Sequence, residues 1–198
     1  MKKKLSIITV FTICFVGLYL LSSKLPQDYV LCENSCGIAV KTFFLPEDQR
    51  IVKRTLLGLI RQEKSSICVA CYRFTHPAYA RELIRAYERG IKIKVVVDEG
   101  YESCKESMIP KLIKAGINVH VYTCPPDLNY SLMHHKFMIF GNSNLNNLVP
   151  KGLVWTGSFN FTRSALRYNQ ENVVILSGCC VQAYQKCFKR LLLKTYRA

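Results

Sequence analysis

Apolar positions recur along this chain in two rhythms, one extended and one helical. "KTFFLP" is a short apolar run and predicts a strand over Lys41–Leu45. From Glu47 to Gln62 the spacing lengthens. Ile51, Val52, Leu56, Leu59 and Ile60 recur at helical intervals behind Glu47 and Asp48, acidic residues that suit a first turn. "SSICVACYRF" predicts the next strand, Ser66–Tyr72, and Pro77 and Gly90 then bracket the helix "AYARELIRAYER". "IKIKVVVD" alternates and then turns continuously apolar, as a strand covered on both faces does. A short helix from Ser107 to Ala115 stops at Gly116, and "INVHVY" is extended again. This β-α-β-α-β-α-β order predicts an α/β fold, a mixed, largely parallel sheet sandwiched between helices.

The second half changes character. "CPPDLNYSLM" reads as a Pro-rich loop, "HKFMIF" as a strand, "GNSNLNNLVPKG" as a polar loop and "LVWTGS" as another strand. The two strands are expected to pair as an antiparallel hairpin. "NFTRSALR" suggests a helical turn, "NVVIL" a strand, and Cys180–Tyr196 a closing amphipathic helix. No internal repeat is present.

Composition narrows the class. A hydrophobic content of 49% excludes general disorder, and 198 residues suit one domain. The net charge is +15, and without Lys2, Lys3 and Lys4 it is still +12. The basic surface therefore belongs to the domain and favours a polyanion, either nucleic acid or an anionic membrane. Behind those lysines, Leu5 to Ser23 carries no charge. As a helix it is roughly 28 Å long, enough to cross a bilayer's hydrocarbon core. The reading divides the chain into a membrane anchor or signal peptide (1–23), a linker (24–40) and a catalytic-type domain (41–198). An uncleaved anchor places the domain facing outward; a cleaved one leaves it secreted or periplasmic.

There are ten cysteines. Cys68 and Cys71 of "CVAC" sit three apart in a predicted strand, so they point to opposite faces and read as small buried hydrophobes. Cys32 and Cys36 in "CENSCG" stand open, either as a disulfide or as half of a metal site.

The chemistry concentrates after residue 133. In an extended segment His134 and Lys136 share a face, and His135 points the other way with Phe137. Ser158 and Asn160 are likewise two apart at the end of the next strand, behind Gly157, which permits a close backbone approach. Adjacent strands thus bring imidazole, ammonium, hydroxyl and amide to one point. That set can attack and hold a phosphate without a metal or cofactor.

"HHKFMIFG", followed by "TGSFNFTRSALRYNQENVVI", resembles the phospholipase D superfamily, whose signature is H-x-K-x4-D and then G-S-x-N. Register assigns His134 and Lys136 to the first part, and Gly157, Ser158 and Asn160 to the second. Glu171 in "NQENV" matches the acidic residue of the small single-motif, nuclease-like branch, that of bacterial endonucleases and mitochondrial Zucchini-like proteins. The resemblance runs from Lys41 to Leu192. It implies a phospholipase D-like fold and a covalent phosphohistidine, with a second histidine protonating the leaving oxygen. It also implies that Lys136, Ser158 and Asn160 bind the phosphate and that Glu171 holds a histidine's other nitrogen. His135 is then structural.

Such a mechanism needs two motifs, and this chain has one. His76, before Pro77, reads as a cap or turn residue, and His120 lies in a strand. The resemblance therefore implies a homodimer sharing one site built from His134 of each chain. Gly141 stands where the signature has its aspartate, a supporting residue, and Asn142 and Asn144 are candidates to replace it.

Three functions remain open on the sequence alone. The first is an endonuclease on DNA or RNA, with Tyr72, Arg73, Tyr101, Tyr122 and Tyr130 gripping a single strand. The second is a phospholipase D acting on an anionic phospholipid such as cardiolipin, held at the membrane by the N-terminal segment. The third is a weakened or inactive nucleic-acid-binding scaffold.

Overall fold

A computed structural model describes residues 29–32, 38–126, 128, 130–143 and 152–198. The predicted N-terminal span, Cys36 and Asn144 lie outside the described residues.

Nine strands form one sheet: β1 (Tyr29–Cys32), β2 (Ile38–Leu45), β3 (Ser66–Cys71), β4 (Lys92–Asp98), β5 (Asn118–Tyr122), β6 (Lys136–Phe140), β7 (Leu153–Gly157), β8 (Glu171–Ser177) and β9 (Thr195–Arg197). Their spatial order is β1-β2-β8-β7-β6-β3-β4-β5-β9. The helices are α1 (Gln49–Gln62), α2 (Pro77–Glu88), α3 (Glu99–Glu102), α4 (Ile109–Lys114), α5 (Arg163–Arg167) and α6 (Cys180–Leu192).

The sheet is mixed and flanked by helices as expected, but it is not largely parallel. Only β3–β4 and β4–β5 pair in parallel; the other six pairings are antiparallel. The alternation with helices does make β2, β3, β4 and β5 run the same way. The strands β6, β7 and β8 then insert between β2 and β3, each antiparallel to its neighbours. The β6–β7 hairpin forms as predicted, pairing Met138 with Trp155. Residues read as linker contribute β1 and the start of β2.

The closing helix also ends earlier than its apolar periodicity suggests. The Lys194 amide bonds the Leu191 carbonyl, and the Thr195 hydroxyl donates to the Leu192 carbonyl. The chain then turns back as β9 and covers the outer edge of β5, which would otherwise stay open for pairing.

Two cores flank the sheet. On one face Val52, Leu56 and Ile60 of α1, Leu83 and Ala86 of α2, and Ile109 and Leu112 of α4 pack on Val69, Cys71, Val95, Val97 and Trp155. On the other, Val181 and Phe188 of α6 cover Ala70, Val96, Ile139 and Val154. Cys71 belongs to the first core and Cys68 to the second, as strand alternation predicts. Burial pushes both thiols above the ordinary cysteine value. Cys179 is disulfide-bonded.

At one edge of the sheet the C-terminal ends of β3, β4 and β7 meet the N-terminal starts of β6 and β8. Register places Cys71 opposite Lys136 and Gly157 opposite Val173. Every predicted site residue lies at this edge.

Candidate active site

The strand carrying the signature begins at Lys136, and His134 lies two residues ahead of it. A bond from the Tyr72 amide to the His135 carbonyl, 3.0 Å, extends the β3–β6 ladder and fixes the approach. His134 is exposed, and its ring packs on Tyr72 at 4.3 Å between centroids. Lys136 Nζ lies 3.0 Å from His134 Nδ1 and donates to the His134 carbonyl at 2.6 Å. An ammonium only donates, so the ring nitrogen it meets carries a lone pair. Lys136 is 8% exposed. Burial pulls its ammonium below the ordinary lysine value, and the Glu171 carboxylate pulls it back up.

The second strand pair supplies the rest. Gly157 has φ +143°, and a Cβ there would stand 2.1 Å from the Asn172 carbonyl oxygen, so only glycine lets β7 approach β8 this closely. Beyond it the Ser158 amide bonds the Asn172 carbonyl and side chain, and the Ser158 hydroxyl donates to Glu171 Oε2. Glu171 Oε1 accepts from Asn169 at 3.0 Å. Glu171 is therefore held by Ser158 and Asn169, and among the described residues no imidazole reaches it. Asn160 presents a buried Oδ1 with no partner. Buried polar atoms left this way are commonly satisfied by ligand, ion or water.

The predicted aromatics separate into two groups. Tyr72 packs on Tyr101 at 4.5 Å, and the Arg73 guanidinium lies 4.9 Å over the Tyr101 ring. A hydrogen bond with Tyr101, then burial, pushes the Tyr72 phenol up to about 12. Tyr122 is buried, and its hydroxyl pairs with Ser131 at 2.9 Å, holding the loop ahead of the histidines. Tyr130 is 78% exposed.

Two supporting residues escaped the sequence reading. Asp98, closing β4, is 2% exposed and accepts from the Met133 amide at 2.8 Å and the Gly100 amide at 3.1 Å. It thereby fixes the residue next to His134. The only sequence sign was a carboxylate ending an apolar strand. Glu63, just past α1, is also 2% exposed. Its carboxylate accepts from the amides of Ser65, Ser66, Asn142 and Ser143 and from the Ser143 hydroxyl, at 2.8 to 3.2 Å.

Those bonds bear on Gly141. A Cβ at that position would stand 2.5 Å from Ser66 Oγ, so Ser66 would have to move to admit any side chain. The carboxylate securing the end of β6 comes from Glu63. Asn142 contributes its backbone to that arrangement.

The other histidines lie apart from His134. His135 is on the opposite face, its ring 5.6 Å from Phe137, and burial, then Lys136, lowers its pKa. His76 caps α2 by accepting from the Ala78 amide. His120 sits in β5 beside Thr195. The described chain brings one imidazole to the site.

A family model described as "Cardiolipin synthase, PLD-like domain" matches residues 56–192. The mitochondrial cardiolipin hydrolase of Xenopus tropicalis is 33% identical over 168 residues, 84% of this chain and 69% of that protein. For like-named relatives the share of their length falls to between 46% and 63%. The fold matches NucT from Helicobacter pylori with a TM-score of 0.71 at 23% identity, covering 81% of this chain and 99% of that one. It matches a phospholipase D family member, Nuc from Salmonella typhimurium, with a TM-score of 0.66 at 26% identity, covering 81% and 98%. With the matched region containing the H-x-K and G-S-x-N residues, the chain belongs to the phospholipase D superfamily of phosphodiesterases, in its single-motif, nuclease-like branch.

Proposed function

We propose that this chain is a metal-independent endonuclease on DNA or RNA, acting through a phosphohistidine at His134 in a homodimer that shares one site. The observation that carries it is the grouping of His134, Lys136 and Tyr72 at an edge that also holds Arg73 and Tyr101. It offers a nucleophile, a phosphate-binding cation and an aromatic platform for a base.

In the first step a ring nitrogen of His134 attacks phosphorus. The P–N bond forms, the bond to the leaving oxygen breaks, and that oxygen takes a proton from His134 of a second copy. In the second step that imidazole draws a proton from water, whose oxygen attacks phosphorus and releases His134. Lys136, Ser158 and Asn160 hold the non-bridging oxygens, Ser158 by turning its one hydroxyl hydrogen from Glu171 to the phosphate. Glu171 orients the Ser158 hydroxyl and keeps Lys136 charged. That the described residues of one chain bring one imidazole to the site supports the dimer. The N-terminal segment tethers the domain to a membrane in this reading.

A phospholipase D activity on cardiolipin is the second reading, supported by the name of the Xenopus tropicalis relative. Full-length protein in excess EDTA, offered single-stranded DNA, RNA and cardiolipin vesicles in parallel, separates the two. Nucleic acid is expected to be cut, with a loss of roughly a thousandfold or more in His134→Asn. Cleavage of cardiolipin alone would replace the nuclease reading. No turnover from a folded dimer would leave a binding scaffold.

A further inference from the structure

A second electropositive feature lies beyond the catalytic edge. α1, α2 and α5 enclose a cavity of about 390 Å³ whose wall carries Arg50, Lys53, Arg81, Arg163 and Arg167 and no carboxylate. Among the described residues none of the five has an ion-pair or hydrogen-bond partner. On the same helices Arg61 and Arg85 pair with Glu82, so carboxylates are available to α1 and α2 but not turned to this cavity. Five unneutralised cations around one space repel one another, and a bound anion removes that cost. The buried His76 in the same wall registers the convergence. Its imidazole is pushed down to about 4, first by burial and then by Lys53, Arg163, Arg167 and Arg81.

The cavity is connected to the site. His76 follows Tyr72 by four residues, a span of at most about 14 Å even if fully extended. The loop 72–76 runs beside 158–162: Phe74 bridges Phe161, and the amides of Thr75 and His76 both bond the Phe161 carbonyl. Between them lies a second cavity of about 490 Å³, lined by Arg73, Met108, Tyr168 and one exposed carboxylate, Glu106, and sharing Pro77 and Arg163 with the first. Arg73 therefore leads from the Tyr72–Tyr101 cluster into the cationic cavity, and Tyr168, 74% exposed, offers a flat ring on the way. The exposed aliphatic residues Leu128, Leu132 and Leu193, which would suit acyl chains, line other pockets.

We propose that the α1–α2–α5 cavity is a backbone-phosphate subsite for single-stranded nucleic acid, gripping the strand a few nucleotides from the bond at His134. The proposal deepens the nuclease reading and rests on it only for the cut at His134. A linear polyanion can occupy both cavities at once, because it carries a charge at every nucleotide and its bases can stack on Tyr168.

The test is binding, so that it does not depend on turnover. A labelled single-stranded oligonucleotide and a dinucleotide are titrated against the full-length protein at several salt concentrations, alongside Lys53→Gln/Arg81→Gln and the charge-preserving Lys53→Arg/Arg81→Lys. For wild type the oligonucleotide binds tighter than the dinucleotide. In the neutral variant its affinity falls roughly tenfold, and the slope of log K against log salt becomes shallower by about 0.7 for each phosphate no longer neutralised. The charge-preserving variant retains both. An unchanged slope in the neutral variant, with its thermal melt intact, overturns the proposal. Lost binding to cardiolipin vesicles with oligonucleotide binding intact also overturns it and assigns the cavity to a lipid headgroup. Hydrolysis of a small chromogenic phosphodiester by wild type but not by His134→Asn is read separately. Its absence sinks the catalytic reading and leaves the salt-slope result to stand by itself.

Discussion

Lys136 has two opposing influences on its charge, and they set the pH range of the site. Burial lowers its pKa and Glu171 raises it. The proposed reaction needs the ammonium, so its rate should fall on the alkaline side below the pH at which an ordinary lysine deprotonates. Glu171→Gln removes the raising influence and should move that limb of the pH profile of kcat/KM further down; an unmoved limb would separate Glu171 from Lys136. His76 acts on stability. Its folded pKa of about 4 lies below the ordinary 6.5, so between these values the unfolded chain binds the extra proton. The stability contributed by this group is therefore expected to be complete above pH 6.5 and to be lost as pH falls towards 4, by up to about 3 kcal/mol. The charges facing His76 are Lys53 from α1, Arg81 from α2, and Arg163 and Arg167 from α5. His76→Asn keeps a capping side chain, and chemical denaturation across this window should show a flatter pH dependence.

At the scale of elements, Glu63 joins the end of α1, the start of β3 and the segment after β6. Glu63→Ala leaves four amides without an acceptor and should cost roughly 3–5 kcal/mol of stability, read by urea denaturation. Gly141→Asp restores the signature in sequence but not in space. It displaces Ser66 and brings a second carboxylate near Glu63, so the expected outcome is a loss of roughly 1–3 kcal/mol rather than a repair. A more stable, more active Gly141→Asp would show that Glu63 does not serve in the aspartate's place. The helices and strands were largely legible, because periodicity over a few residues reports which face meets the core. The ending of α6 was not: Thr195–Arg197 continues an acceptable helical pattern, and only the open edge of β5 draws it into the sheet.

For the whole molecule, the proposed mechanism makes activity depend on association, because the described residues bring one imidazole to the edge. Specific activity should fall on dilution in step with the loss of dimer measured by sedimentation. Chains carrying His134→Asn, mixed in excess and re-equilibrated with wild type, should suppress activity, because a mixed dimer lacks one of its two histidines. Constant activity well below the dimer's dissociation constant would require the second proton donor to come from within one chain.

Spacing over two to four residues was enough to read His134 and Lys136 as one face, His135 as the other, and Gly157 as a close approach, because strand alternation and glycine's missing Cβ act locally. The same local rules gave β2, β3, β4 and β5 a common direction. Which strands became neighbours was decided by packing: β6, β7 and β8 enter between β2 and β3, and no local pattern records that insertion. Glu63 and Asn142 are 79 positions apart in sequence, and the carboxylate that serves the end of β6 was invisible until the fold joined them. The cationic cavity is of the same kind. Its charges were countable in the sequence, but only the placement of three helices around one space left five of them without partners among the described residues.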